Sequence, residues 1–170
     1  MNLNLKVSPL TPDFSFVSFK CGKNALDFHL KKYALFNQTR GFGKYWCLHE
    51  ADSSEILGYY SINACSVGLE NFPEHYSSDF PPHPVPCILI GRFAIDKRYQ
   101  KNGYGGYLLH DCFCRIKKLS NSIGINAITV DALDLETKSF YIRYGFIPFP
   151  SEDKYLFYPI ASIPDERYGF

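Results

Sequence analysis

Arg92-Phe-Ala-Ile-Asp-Lys-Arg-Tyr-Gln-Lys-Asn-Gly-Tyr-Gly-Gly106 decides how this chain reads. A strand-like apolar run, residues 87–95, leads into it. A short basic turn follows, and a helix begins at about Tyr104. The turn closes on Gln100-x-x-Gly103-x-Gly105-Gly106. Glycines let a backbone approach a ligand closely and take up positive φ, and a helix N-terminus aims unsatisfied N–H groups at an anion. A pyrophosphate needs both. Lys97, Arg98 and Lys101 add positive charge at the same place. A helix-capping turn uses the same glycines, so the glycines alone leave both readings open. The order strand, Q-x-x-G-x-G, helix narrows them. The stretch fits neither the Walker loop, which needs G-K-S/T, nor the dinucleotide fingerprint G-x-G-x-x-G.

Outward from this stretch the chain alternates strands and helices. Residues 3–8 alternate like a short strand. Residues 24 to about 38 predict one helix, with Leu26, Leu30, Tyr33 and Ala34 as its apolar stripe and Lys31 and Lys32 to one side. Residues 45–49 and 56–67 predict a hairpin around Asp52-Ser-Ser54. Residues 71–86 contain five prolines, too many for a helix or a central strand, and so predict a loop. The helix from Tyr104 runs to about Leu119. A strand over 125–132 and a helix over about 135–144 follow, the helix stopped by Gly145 in the manner of a C′ glycine. Short strands over 146–149 and 154–160 close the chain. Strands joined through helices imply an α+β, or α/β mixed, sheet.

Length and composition bound the rest. A chain of 170 residues predicts a single domain with a real core. Apolar residues at 46% and aromatics at 17% exclude a disordered chain. No apolar run approaches the ~18 residues of a membrane span. Met1-Asn-Leu-Asn-Leu-Lys6 lacks the layout of a signal peptide, so the expected location is cytoplasmic, with no membrane partner. Cysteines 21, 47, 65, 87, 112 and 114 show no C-x-x-C pair and read as reduced core residues, with no metal expected.

The net charge of +1 hides segregation. Residues 1–48 hold seven Lys/Arg and two Asp/Glu, 49–86 hold no Lys/Arg and six acids, and 87–120 hold seven bases and two acids. Two basic segments meeting on one face would suit a polyanion such as CoA or RNA, and ordinary solvated charge is the alternative.

The glycine turn resembles the acyl-CoA pyrophosphate loop of the GNAT acetyltransferases, and the order of elements resembles that fold over nearly the whole chain. Phe140-Tyr-Ile-Arg-Tyr-Gly-Phe146 looks like the family's F-Y-x-x-x-G-F. Phe19-Lys-Cys-Gly-x-x-x-Leu26-Asp27, Leu30-Lys-x-x-Ala34, Gly58-Tyr-Tyr-Ser61 and Pro84-Val-Pro86, ahead of Leu89-Ile-Gly-Arg92, resemble one subgroup. These are the GNAT toxins of toxin–antitoxin pairs, which acetylate the amino group of aminoacyl-tRNA. The resemblance implies a central mixed sheet with flanking helices, one domain over 1–170, acetyl-CoA as co-substrate, a homodimer and a small ribbon-helix-helix antitoxin. A GNAT enzyme acting on a small-molecule or protein amine is the alternative.

By the same resemblance, Phe93, Ala94 and Ile95 offer backbone N–H groups to the acyl carbonyl and pantetheine. Gln100, Lys101, Asn102, Gly103, Gly105 and Gly106 hold the pyrophosphate. Tyr141 is the expected general acid, since a phenol of pKa ~10 stays protonated at neutral pH and can protonate a departing thiolate; the alternative is a core aromatic. Tyr144 projects from a partly different arc of the same helix. Arg92, Lys31 and Lys32 are candidate tRNA contacts, with a strand-edge or solvated charge as the alternative. Asp96 reads as an anchor of the turn. The five histidines show no partner in the sequence. An aminoacyl ester's α-amine, near pKa ~7.7–8.0 or below, has a neutral fraction without a dedicated base.

Overall fold

The computed structural model describes residues 3–165. Strands β1 (Leu5–Pro9), β2 (Lys44–Glu50), β3 (Gly58–Val67), β4 (Val85–Ile95), β5 (Ala127–Asp131), β6 (Ile147–Phe149) and β7 (Glu152–Pro159) form one mixed sheet in the order β1-β2-β3-β4-β5-β7-β6. Helices are α1 (Asn24–Lys32), α2 (Ala34–Thr39), α3 (Glu74–Ser77), α4 (Tyr104–Leu119) and α5 (Leu135–Arg143). The α+β mixed sheet read from the sequence is the architecture observed.

Connection length sets the pairing. The short link between β2 and β3 permits an antiparallel pair, and β4 and β5 run parallel because α4 crosses between them. The β4–β5 register covers Cys87↔Ala127 to Ile90↔Val130, while β4 itself continues to Ile95. Residues 91–95 therefore outrun the parallel partner.

The chain forms two compact units. One takes in the chain up to Asn63 together with Gly91–Phe113, and its core includes Phe19, Leu30, Ala34, Cys47 and Tyr59, each at most 1% exposed. The other takes in Ala64–Ile90 and the chain from Cys114 onward. Its core gathers Val67, Phe72, Cys87, Ala127, Phe149 and Phe157. The rings of Phe72, Phe149 and Phe157 meet there at about 5 Å between centroids, which is the edge-on and tilted spacing aromatic rings prefer.

Two expectations change. The helix over 24–38 is two helices, broken at Tyr33 (φ −120°, ψ −23°). The break turns Ala34 fully inward and leaves Tyr33 at 47% exposure, so Tyr33 leaves the apolar stripe. Residues 71–86 are not pure loop: a 3-10 turn at Leu69–Asn71 and α3 precede a strand that starts at Val85. Pro73 stands just before α3, where its missing N–H costs nothing.

Candidate active site

The turn after β4 is locked by three side chains. Asp96, 1% exposed, accepts from the Lys20 N–H (3.0 Å), the Arg98 N–H (3.0 Å), Arg98 Nε (2.9 Å) and Arg98 Nη2 (3.1 Å). Burial pushes its carboxyl up, but the bonds from Arg98 and the Lys20 N–H outweigh that and hold it below the ordinary range. Arg98 also reaches Glu55 at 2.8 Å. Gln100 Nε2 donates to the carbonyls of Cys21 (2.7 Å) and Ile95 (2.8 Å). Asp96 thus anchors the turn as expected. Arg98 and Gln100, both exposed residues, thus make hydrogen bonds within the protein that hold the turn.

The main chain of the turn carries two left-handed residues. Lys101 and Gly103 stand at φ +62° and +83°. A Cβ on Gly103 would meet nothing within 4 Å, so the left-handed backbone, not crowding, calls for glycine there. Asn102 Nδ2 braces the curve by donating to the Gln100 carbonyl at 3.1 Å. Helix α4 starts at Tyr104 with Gly105 and Gly106 in its first turn and no acidic residue there. Its positive end is not neutralised by its own side chains. Lys97 and Lys101 are exposed beside it. These features fit a diphosphate held by backbone amides.

Arg92, Phe93, Ala94 and Ile95 lie on the part of β4 that outruns β5, with Ala94 and Ile95 buried and Arg92 exposed. Close to Arg92 is a pair that sequence reading missed. His29 Nε2 and the Tyr45 hydroxyl are 2.6 Å apart, with their rings stacked at 5.8 Å and 24°. Burial, and then the Arg92 guanidinium, lower His29 to about 4, so its imidazole is neutral at physiological pH. His49 likewise has a partner, the Ser8 hydroxyl at 2.8 Å. Lys31 and Lys32 end α1 in an exposed position.

Tyr141 belongs to the other unit, and the end of α5 builds its setting. The Asp134 carboxylate caps the helix start by accepting from the Thr137 N–H at 2.8 Å. At the far end Gly145 takes φ +96°. Its N–H donates to the Ile142 carbonyl (2.9 Å), and the Phe146 N–H donates to the Tyr141 carbonyl (3.1 Å). This is a Schellman ending, and its usual apolar contact is the Tyr141–Phe146 ring pair at 5.1 Å. The F-Y-x-x-x-G-F pattern is therefore a cap that sets Tyr141 in place. Tyr141 is 3% exposed and Tyr144 40%, so the two tyrosines have different surroundings.

An open cavity of about 680 Å³ is lined by residues of the 68–84 segment, among them Leu69, Glu70, Phe72, Glu74 and His83. It contains none of the expected site residues. Burial pushes the Cys47 and Cys87 thiols up to about 12, which leaves them unionised and poor nucleophiles at neutral pH.

No protein-family model matches the chain. A probable toxin TacT of Sinorhizobium fredii is 34% identical over 166 residues, covering 92% of each chain. A tRNA-acetylating toxin of Mycobacterium tuberculosis is 34% identical over 139 residues, covering 82% of each. Among solved structures, a Tyr-to-Phe mutant of KacT aligns with TM-score 0.89 at 27% identity, over 94% of this chain and 96% of that one. AtaT complexed with acetyl-methionyl-tRNAfMet aligns with TM-score 0.87 at 26% identity, over 93% and 96%. A Tyr-to-Phe mutant of AtaT, bound to acetyl-CoA and the C-terminus of the antitoxin AtaR, aligns with TM-score 0.78 at 25% identity, over 93% and 94%.

Proposed function

This chain belongs to the family of GNAT-type tRNA-acetylating toxins, and we propose that the turn 96–106 and Tyr141 carry its reaction. It is an acetyl-CoA-dependent N-acetyltransferase that moves the acetyl group to the α-amino group of aminoacyl-tRNA and so blocks translation. The observation behind the residue assignment is the clamped turn. Asp96 and Gln100 hold it from within, and the acid-free start of α4 follows it.

The backbone of Lys101, Asn102, Gly103, Gly105 and Gly106 holds the diphosphate, with Gln100 fixing the curve through its bonds to the Cys21 and Ile95 carbonyls. Phe93, Ala94 and Ile95 seat the pantetheine arm, and the N–H near Phe93 polarises the acetyl carbonyl. The neutral α-amine attacks that carbon, the C–S bond breaks, and Tyr141 gives its hydroxyl proton to the leaving sulfur. The nitrogen releases its extra proton to water, and water returns one to the Tyr141 oxygen. Holding both reactants in place supplies much of the rate, because no covalent enzyme intermediate is needed.

Arg92, Lys31 and Lys32 contact the tRNA. The whole of 1–170 acts as one acetyltransferase domain, as a homodimer, opposed by a small ribbon-helix-helix antitoxin. The AtaT complex with the C-terminus of AtaR supports an antitoxin partner. The setting is the cytoplasm, where charged tRNA is found; no helix among the described residues is long and apolar enough to cross a membrane. Incubation with labelled acetyl-CoA and a mixed aminoacyl-tRNA pool tests the reading. Label on the amino acid of tRNA is the expected result. Label only on free small amines would move the activity to another class of acceptor.

A further inference from the structure

The face built by α1 and α2 is unusual for a protein surface. Phe28 is 53% exposed and Tyr33 47%. Their rings meet edge to face, 5.6 Å apart at 73°. Tyr33 lies 6.1 Å from His29, and His29 stacks on Tyr45. The four rings form a continuous run from solvent into the protein, and Arg92 perturbs the two at its inner end. Arg92 directly precedes Phe93, the residue proposed to polarise the acetyl carbonyl. Cations flank the outer end: Lys31 and Lys32 are exposed in the last turn of α1.

We infer that this aromatic run is the seat of the unpaired 3′ end of the acceptor strand, its bases stacking on Phe28 and Tyr33 and a backbone phosphate meeting Arg92. The inference rests on the reading that the acceptor is aminoacyl-tRNA. An amino acid esterified to a terminal ribose can reach the acetyl carbonyl only if the last nucleotides cross the surface beside Arg92. Bases that are not paired offer flat apolar faces joined by anions. Exposed rings among cations match both properties, as on single-strand-binding surfaces generally. His29 fits the run because burial keeps it neutral, and a neutral ring has little hydration to lose when covered. An apolar peptide would match the rings but not Lys31, Lys32 and Arg92.

The test compares Phe28→Ala with Tyr33→Ala against wild type on aminoacyl-tRNA. Both side chains are half exposed, so the fold should survive, and Phe28→Trp with Tyr33→Phe provides an aromatic control. We expect KM for aminoacyl-tRNA to rise at least about tenfold in the alanine variant. The aromatic control should stay near wild type, and acetyl-CoA affinity should be unchanged in both. The slope of log KM against log salt should match wild type, because no phosphate contact is lost. Lys31→Glu with Lys32→Glu should instead flatten that slope. An unchanged KM in the alanine variant of an active enzyme overturns the inference alone. Weaker antitoxin binding in that variant, at constant KM, would assign the face to the antitoxin. Wild type that acetylates no aminoacyl-tRNA would overturn the reading beneath it.

Discussion

The turn 96–106 and the C-terminal end of α5 are both built by a glycine at positive φ, yet they place chemistry in different parts of the chain. In the turn, the side chains of Asp96, Arg98 and Gln100 brace the loop through bonds within the protein, and the proposed site meets the anion with its backbone. At the end of α5 the backbone braces itself through the Gly145 and Phe146 N–H groups, and one side chain, Tyr141, is what it positions. A backbone site should tolerate most substitutions that keep its curve. A side-chain site should fail when a single atom is removed.

Tyr141→Phe is the strongest challenge to that contrast. It should lower kcat by roughly 10²- to 10⁴-fold while leaving acetyl-CoA affinity and thermal stability nearly unchanged, since the proton is needed only as the sulfur leaves. Tyr144→Phe, at the more exposed position, should do far less. Retention of more than about a third of wild-type kcat by Tyr141→Phe, with chemistry limiting turnover, would reduce Tyr141 to a packing residue.

Next comes the brace of the turn. Asp96→Asn cannot accept all four hydrogen bonds and should cost about 2 kcal/mol of stability in denaturant titration. The pH dependence follows from the lowered pKa of Asp96. Its contribution is complete above the unfolded value of ~3.9 and is lost as pH falls through the lower folded value. Wild type should therefore lose more stability than Asp96→Asn on acidification below about pH 4. Parallel acid profiles for the two proteins would show that the brace contributes nothing.

Gly103→Val forces a β-branched residue into a left-handed conformation. It should weaken acetyl-CoA binding by at least ~1.4 kcal/mol, about tenfold, with the fold intact. Calorimetry showing unchanged affinity would remove the loop from the site. The smallest effect should come from Lys101→Gly. It removes a charge but frees a non-glycine residue from φ +62°. If the backbone dominates, acetyl-CoA affinity should change by less than about threefold, near 0.6 kcal/mol. A tenfold loss would show that the site depends on a side-chain charge.

The parts legible in the sequence were short in range. The strand, turn and helix around Gly103 and the stop at Gly145 arise within about ten residues, so residue type and spacing suffice to read them. The break at Tyr33 was not legible. The apolar stripe continues through it, and only packing turns Ala34 inward and Tyr33 out. The bonds that Arg98 and Gln100 make within the protein were not legible either. Their partners Glu55 and Cys21 lie far off in the chain.

By itself the sequence determined the order of elements, the glycine turn before α4, the capped helix ending around Tyr141 and, through resemblance, the toxin family. Only the tertiary structure decided which polar groups are engaged within the protein. It joined Lys20 to Asp96 across 76 positions, Cys21 to Gln100 across 79 and His29 to Tyr45 across 16. Local patterns reflect the fixed repeats of helix, strand and turn. Long-range partners depend on which surfaces the packed core brings within hydrogen-bond distance, and no residue spacing encodes that.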